Sequence, residues 1–590
     1  MSDKIQYITT PIYYVNDNPH IGHMYTSVAS DVYARWQRDN NKNDVYFLTG
    51  TDEHGQKVQK SAIKSNKLPQ EFCDDISIVF RNLANDANLS HDDFIRTTEL
   101  RHKVGARAFW QKLHDNGWIY KSEYSGWYAL RDEAFYTESE LVDGRAPTGA
   151  EVEWHVEESY FFKLSEFTVI LTELYNIASN LVLPGSKFSE IKNFVTQGLH
   201  DLSISRTSFD WGISVPNDER HVIYVWLDAL TNYITALGYG SDKCCASGAV
   251  IDTSSLTAEN NTIIDIVPNV ISGGRAEPKD SLSANLLDEE RSSSSGSAST
   301  SGLRLPHSTP ETHNVNVNRD FDLYEHYWQN KNSLKTHVIG KDILRFHAIY
   351  WPAFLIAEQF KIGEVDMSEV SKMFQNCRIV THGWWTNQGQ KISKSLGNVI
   401  NPYDLIAKFG LDKVRFFLLR EMPFGNDGDY SESAFIARVN ADLSNNFGNL
   451  VQRTLGFIWK NCDGKIGNYS GRFDDDKILL PELRNTCNIL VSEFKFFEML
   501  NTIMLYSGYC NEFIDKHAPW TLKKTAEIDK MNDVLYALCQ AIWQITECLT
   551  PFMPQSCATI FGFFNNTKPH SSQQINEPKP VFERIITTCA

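Results

Sequence analysis

Two histidines, His20 and His23, stand three residues apart in the run TPIYYVNDNPHIGHMYTS, with Gly22 between them. A β-rich stretch and the turn patch Asn16-Asp17-Asn18-Pro19 precede them, and a helical pattern follows. A helix start offers unpaired N–H groups and the positive end of its dipole, an anion site. Gly22 lets a flat ring or a phosphate approach the backbone, and two imidazoles can donate hydrogen bonds to phosphate oxygens. The same four letters also fit two capping or surface histidines. A metal centre needs more ligands, and His54 is the only other nearby candidate. Far downstream, THGWWTNQGQKISKSLGN places Lys391 and Lys394 on a loop, between Gly389 and Gly397 and near Asn387 and Asn398. Mobile ammonium groups suit a polyphosphate that must later leave, although a solvated lysine pair reads the same way.

The elements that must position these groups are legible in outline. IQYITTPIYYV (5–15) reads as a strand. Ile21, Met24, Tyr25, Val28, Val32 and Trp36 recur at steps of three and four, one apolar helix face. A second strand, DVYFLTG (44–50), runs into TDEHG. Strand, turn, helix, strand is the opening of an open parallel α/β sheet of Rossmann type, which binds ligands at the carboxyl ends of its strands. Residues 116–215, rich in Trp, Tyr and Phe, read as an inserted β-containing module, and HVIYVWLDAL (221–230) as a further strand. The stretch 241–318, with EERSSSSGSASTSG inside it, reads as a flexible low-complexity insertion. Strand and helix signals resume at 334–357, and 433–560 reads as a helical bundle. The expected division is a catalytic first half at 1–115, the inserted module at 116–215 and a catalytic second half at 216–385. A KISKS loop and linker at 386–432 and a helical domain at 433–590 follow.

The totals narrow the class. A chain of 590 residues holds roughly three or four domains. Its 42% hydrophobic and 22% charged content is that of an ordinary globular protein. No run of about 18 apolar residues marks a membrane span, and MSDKIQYITT enters the first strand too soon for a leader. The 11 cysteines include no C-x-x-C pair, so a reducing cytoplasm is expected. A net charge of −17 argues against indiscriminate nucleic-acid binding, though not against a local basic groove.

HIGH after the first strand and KISKS far downstream, before a helical tail, resemble the class I aminoacyl-tRNA synthetases. TPIYYVNDNPHIGH, FLTGTDEHGQK, DLSISRTSFDWGI, YVWLDALTNY, HVIGKDILRFHAIYWPAFL and HGWWTNQGQKISKSLGN resemble the methionyl-tRNA synthetase family, over most of 1–240 and 334–460. The resemblance implies an ATP-dependent ligase that makes methionyl-adenylate and passes the aminoacyl group to the terminal adenosine of tRNA(Met), initiator and elongator. It implies that His20, Gly22, His23, Gly340, Lys341, Asp342, Lys391, Ser393 and Lys394 hold ATP, with Mg²⁺ assisting. Asp52 would take the methionine ammonium. Ile12, Tyr14, Trp226, Ala229, Leu230, Tyr233, Ile343, Phe346, His347 and Trp351 would form the cage, His347 beside the sulfur. A flexible thioether favours such aromatic walls. Asn445, Asn449 and Arg453, at i, i+4 and i+8, match the family's anticodon-reading helix, and Trp520 its base-stacking tryptophan.

Two departures stand out. Many relatives carry C-x-x-C zinc knuckles in the module at 116–215, and this stretch has no cysteine. Asp132, Asp143 and His155 lack a ligand spacing. No structural zinc is expected; aromatic packing should hold the module. This zinc-free form resembles the α-proteobacterial type. The 241–318 insertion has no counterpart role. The chain stops soon after the bundle, so a monomer is expected. The competing readings are a ligase for another amino acid, a non-catalytic RNA-binding protein and a small-molecule nucleotidyltransferase. They lack, respectively, a large editing domain or zinc ligands, a use for the phosphate contacts, and a use for the bundle.

Overall fold

The computed structural model describes residues 4–129, 131, 134–136, 138–240, 322–392, 398–470, 478 and 482–586. The 241–318 insertion, Ser393, Lys394 and Asp132 lie outside these, as do the side chains of Lys391 and His155. The architecture is the expected mixed α/β one with a parallel sheet and a helical C-terminal region. The sheet's first strands are β1 (Ile5–Thr9), β2 (Tyr13–Tyr14), β3 (Asp44–Asp52) and β4 (Asp93–Arg96). β1 pairs with β3 on one side and with Leu334–Gly340 on the other; Cys377–His382 and Val182–Leu183 continue outward. β2 and β4 both pair with β3, and every pairing in this sheet is parallel. β3 is buried from Val45 to Asp52, as a sheet covered on both faces requires.

The structure alters the expected elements in three places. The strand read over 5–15 breaks at Pro11, which has no N–H to give, and pairing resumes at Tyr13. Val182–Leu183, within the stretch read as inserted, returns to the central sheet. HVIYVWLDAL is a strand only at its start: Asp218–Ile223 pairs antiparallel, and Val225–Thr235 is a helix. A short apolar run cannot be assigned by periodicity alone. Trp226, Ala229, Leu230 and Tyr233, at steps of three and four, belong to that helix.

The first helix, α1 (Ile21–Arg35), carries the expected apolar stripe, but Thr26, Ser27, Ser30 and Asp31 are buried as well. The C-terminal helices explain this. Apolar residues of α1 such as Met24 and Val28 share one continuous core with the helices Leu411–Arg420, Phe496–His517 and Ile528–Leu549.

The aromatic-rich module is a long antiparallel hairpin, Ile119–Ala129 against Glu153–Phe162, with Ala134–Tyr136 and Leu202–Ser203 at its edges. Aromatic pairs cross it, Trp127 on Trp154 at 5.4 Å and Tyr120 on Phe161 at 5.5 Å, and Trp118 packs on Phe167 at 4.6 Å at its base. Ala129, Ala146 and Ala150 form a small buried cluster of their own. The run leading into KISKS is a second, tighter hairpin, Trp385–Asn387 against Gln390–Lys391. Its two-residue turn has positive φ at Gln388 (52°) and Gly389 (75°), the conformation such turns demand.

Candidate active site

A cavity of about 670 Å³ opens at the carboxyl ends of β1 and β3 and of Leu334–Gly340 and Cys377–His382. Its wall includes Ile12, Tyr14, His20, Gly22, His23, Asp52, Trp226, Ala229, Leu230, Tyr233, Gly340, Asp342, Ile343, Phe346 and His347.

At one end α1 begins with a mutual cap. His20, in extended conformation, accepts the N–H of Gly22 at its Nδ1 (3.0 Å), and Nδ1 of His23 accepts the N–H of His20 (3.0 Å). The rings stack 3.9 Å apart. Burial pushes both imidazoles below their ordinary pKa; Asp342 opposes this at His20, and the neighbouring His20 adds to it at His23. Each ring is therefore neutral at pH 7. With Nδ1 occupied as an acceptor, its proton lies on Nε2, so the pair presents fixed neutral donors rather than cations. Gly22 has a local reason: a Cβ there would lie 2.9 Å from the His20 ring.

At the other end Trp226 stacks on Phe346 at 3.6 Å with 9° between the planes. His347 is buried, and burial lowers its pKa to about 4. Its Nδ1–H donates to the Ile343 carbonyl (3.0 Å), so Nε2 accepts from the Tyr233 hydroxyl (2.7 Å). Both ring nitrogens are thereby occupied, and His347 offers a side chain only its ring surface. Tyr7 holds Tyr233 from behind, donating to its carbonyl at 2.7 Å. Trp351 does not reach the wall; it is buried with its edge against Tyr233 at 5.9 Å.

Lys341 also stands off the wall. Its ammonium binds Asp427 (2.6 and 2.7 Å) and covers the Trp384 ring at 4.2 Å. Asp427 takes the N–H of Trp384 too, and Trp384 Nε1–H reaches Asp342 at 3.2 Å. The strand end at Gly340 is thus tied to the root of the KISKS hairpin. Gly383 is forced by close approach, since a Cβ would lie 2.1 Å from the Asn426 backbone carbonyl oxygen, whereas at Gly340 it would meet only the movable Asp342 carboxylate at 2.6 Å.

Several wall residues escaped the sequence reading. His382 is 2.8 Å from Thr26 Oγ1. Asn232 is 1% exposed; its amide donates to the Ala229 carbonyl, and its Oδ1 has no hydrogen-bond partner among the described residues. Lys57 and Trp384 line the wall as well. All four stand inside quoted runs, Lys57 in FLTGTDEHGQK, Asn232 in YVWLDALTNY, and His382 and Trp384 in HGWWTNQGQKISKSLGN, but no local spacing assigned them to the wall.

On the bundle, Asn449 donates to Asn511 Oδ1 (3.0 Å), Arg453 pairs with Asp515 (3.2 Å through Nη1), and its guanidinium lies 5.5 Å from the centre of the Trp520 ring. Asn445 is exposed in the π-helical turns just before, Asn440–Phe447.

The chain matches the family described as tRNA synthetases class I (M) over residues 6–153, 145–248 and 310–455. A methionine–tRNA ligase of Rickettsia conorii is 45% identical over 93% of this chain and 91% of its own length. Another, from Rickettsia bellii, is 45% identical over 98% and 99%, and one from Brucella suis 38% identical over 99% of both. Among solved structures, a Mycobacterium tuberculosis methionyl-tRNA synthetase in complex with methionyl-adenylate superposes with a TM-score of 0.78 at 34% identity, over 98% of this chain and 100% of that one. The neutral histidine pair at a helix start, the aromatic pocket beyond it and these near-full-length matches agree: the chain belongs to the methionyl-tRNA synthetase family of the class I tRNA synthetases.

Proposed function

We propose that this chain is a methionine–tRNA ligase whose activation step runs in the 670 Å³ cavity. The single observation that carries the reading is the juxtaposition, in one cavity, of the neutral His20–His23 donor pair and the closed aromatic end. The methionine carboxylate attacks the α-phosphorus of ATP, and the bond to the β,γ-diphosphate breaks. Little covalent chemistry falls to the protein, so positioning and charge stabilisation carry the rate. Nε2–H of His20 and of His23 donates to triphosphate oxygens, and Lys391, Ser393 and Lys394 meet the leaving pyrophosphate. Gly340 and Asp342 line the nucleotide end, while Lys341 acts through Asp427 and Trp384. Asp52 binds the ammonium group. Trp226, Phe346, Tyr233 and the His347 ring receive the thioether, with Trp351 holding Tyr233 from outside the wall.

The described wall has two carboxylates, Asp52 and Asp342. That is too few hard oxygen donors for a protein-built Mg²⁺ site, and it fits an ion carried in on the triphosphate, where it neutralises charge. The inserted module is read as zinc-free. Glu158, Asp218 and His221 stand close together, and the Lys121 ammonium pairs with the two carboxylates at 2.7 and 2.9 Å. The second substrate is tRNA(Met), initiator and elongator, read through Asn445, Asn449, Arg453 and Trp520. The domain division read from the sequence, a monomer and a cytoplasmic site belong to the same proposal. No described helix is long and apolar enough to cross a membrane.

The test is ATP–pyrophosphate exchange with each of the twenty amino acids offered in turn. Exchange with methionine alone is expected. Exchange with none, from folded protein supplied with Mg²⁺, would sink the reading in favour of an RNA-binding role.

A further inference from the structure

The helix Val225–Thr235 carries one side chain with no part in the chemistry above. Asp228 is completely buried, two residues from both Trp226 and Leu230 and so on the other face of the helix. Its Oδ2 lies 2.7 Å from Nδ1 of His54, and its Oδ1 lies 2.7 Å from Nε2 of His102. The other nitrogen of His102 lies 2.8 Å from Oγ1 of Thr235, on the helix's last turn. His54 is 2% exposed, and His102 and Asp228 are 0% exposed. Burial alone would raise the Asp228 carboxyl, but the His54 and His102 imidazoles outweigh it and hold it at about 2. An ionised carboxylate only accepts, so both imidazoles donate to it.

Three buried polar groups are a costly way to pack a core, since apolar residues of similar volume commonly do as well or better. What these three add is a fixed distance. His54 lies two residues beyond Asp52, in a loop held from its far side as well. The Glu53 carboxylate takes Nε of Arg96 at 2.7 Å, the Glu53 carbonyl accepts Trp211 Nε1–H at 2.6 Å, and Gly55 N–H donates to the Trp211 carbonyl at 3.0 Å. The bond from Asp228 to His54 therefore couples the end of β3, which presents Asp52, to the helix that presents Trp226 and Tyr233. Resting on the methionine reading of this cavity, we propose that Asp228 is a positioning residue that sets the length of amino acid accepted. It holds the side-chain pocket at a set span from the ammonium-binding carboxylate.

The test is amino-acid-dependent ATP–pyrophosphate exchange by Asp228→Asn. Methionine is compared with S-methylcysteine, one methylene shorter, and ethionine, one longer. The KM for methionine is expected to rise about tenfold, with the KM for ATP within about twofold of its original value. The ratio of kcat/KM for methionine to that for each analogue is expected to fall about fivefold or more. A purely structural role would lower the active fraction and cut all three amino acids together, leaving the ratios unmoved; that result overturns the proposal. If Asp228→Asn does not fold, the ratios are read on Thr235→Val, which loosens only the His102 end. A drop of about twofold is expected there, and none overturns the proposal. His54→Gln, which keeps an N–H to offer, is expected to restore the ratios that His54→Ala loses. Exchange by the unaltered chain separates two failures: its absence overturns the ligase reading and this inference together, whereas its presence with unmoved ratios overturns this inference alone.

Discussion

Burial keeps four imidazoles of the cavity wall neutral, His20, His23, His347 and His382, and each neutral ring has a fixed pattern of hydrogen bonds. His20 and His23 spend Nδ1 on backbone N–H groups and keep Nε2–H for a ligand. On the proposed mechanism, His20→Ala/His23→Ala deletes two donors aimed at charge that grows in the transition state. A single such donor is worth about 10²–10³ in rate, so pyrophosphate exchange is expected to fall by several orders of magnitude. Methionine affinity, read by calorimetry, should change little, and exchange within about tenfold of the unaltered chain would remove the pair from phosphate binding. His347 makes a prediction about pH. Its folded-state pKa of about 4 lies below the 6.5 of an exposed histidine. The unfolded chain therefore takes up the proton first as pH falls. Stability is intact above about pH 6.5, and roughly 3 kcal/mol is lost as pH drops toward 4. His347→Gln has no such proton to gain, so its melting temperature should decline less steeply between pH 7.5 and 5. Parallel slopes would show that this ring contributes no such term.

At the scale of elements, α1 is held at its start and along its length. Its N-terminus rests on the histidine cap, and Ile21 N–H donates to the Ile400 carbonyl just beyond the KISKS run. Its middle is pinned by Arg415, whose guanidinium is fully buried and reaches Asp31 Oδ2 at 2.6 Å. The same guanidinium donates to the carbonyls of Ala87, Pro551 and Phe552, at 2.9, 2.7 and 3.0 Å. Arg415→Met keeps the volume and removes the charge, leaving Asp31 buried with a partner lost. Breaking one side of a buried pair costs about 3–5 kcal/mol, and urea denaturation is expected to show a loss of that size; a loss below about 1 kcal/mol would mean that Arg35 and Ser90 suffice for Asp31. This arrangement marks where sequence reading stops. The apolar stripe of α1 was legible because it repeats at helical spacing. The burial of Asp31 was not, because its partner lies 384 positions away. The strand reading of 221–230 failed differently: apolar on nearly every position, that run has the same texture as a buried strand, and only its contacts make it a helix.

Across the whole molecule, the legible part of the site was what sits in continuous strings. HIGH, KISKS and the helix stripe of Asn449 and Arg453 are local in the chain, so their spacing carries information. The pairing of Lys341 with Asp427 and the Asp228 bracket join residues 86 or more positions apart, and no local pattern encodes them. What joins the local strings is one core, running from Met24 and Val28 of α1 to Val534 and Leu538 of the helix Ile528–Leu549. A continuous core makes the two ends of the enzyme interdependent, but the cluster proposed to meet the anticodon is built differently. Arg453, Asp515 and Trp520 meet at the surface, with Asp515 61% and Trp520 38% exposed. Surface contacts of this kind contribute little to stability, so a truncation there should stay local. Trp520→Ala is accordingly expected to lower kcat/KM for tRNA about tenfold to a hundredfold, the worth of one stacked base. Methionine-dependent pyrophosphate exchange on the same preparation should remain within about twofold. Parallel loss in both assays would mean that Trp520 supports the active site through the shared core instead of contacting the RNA.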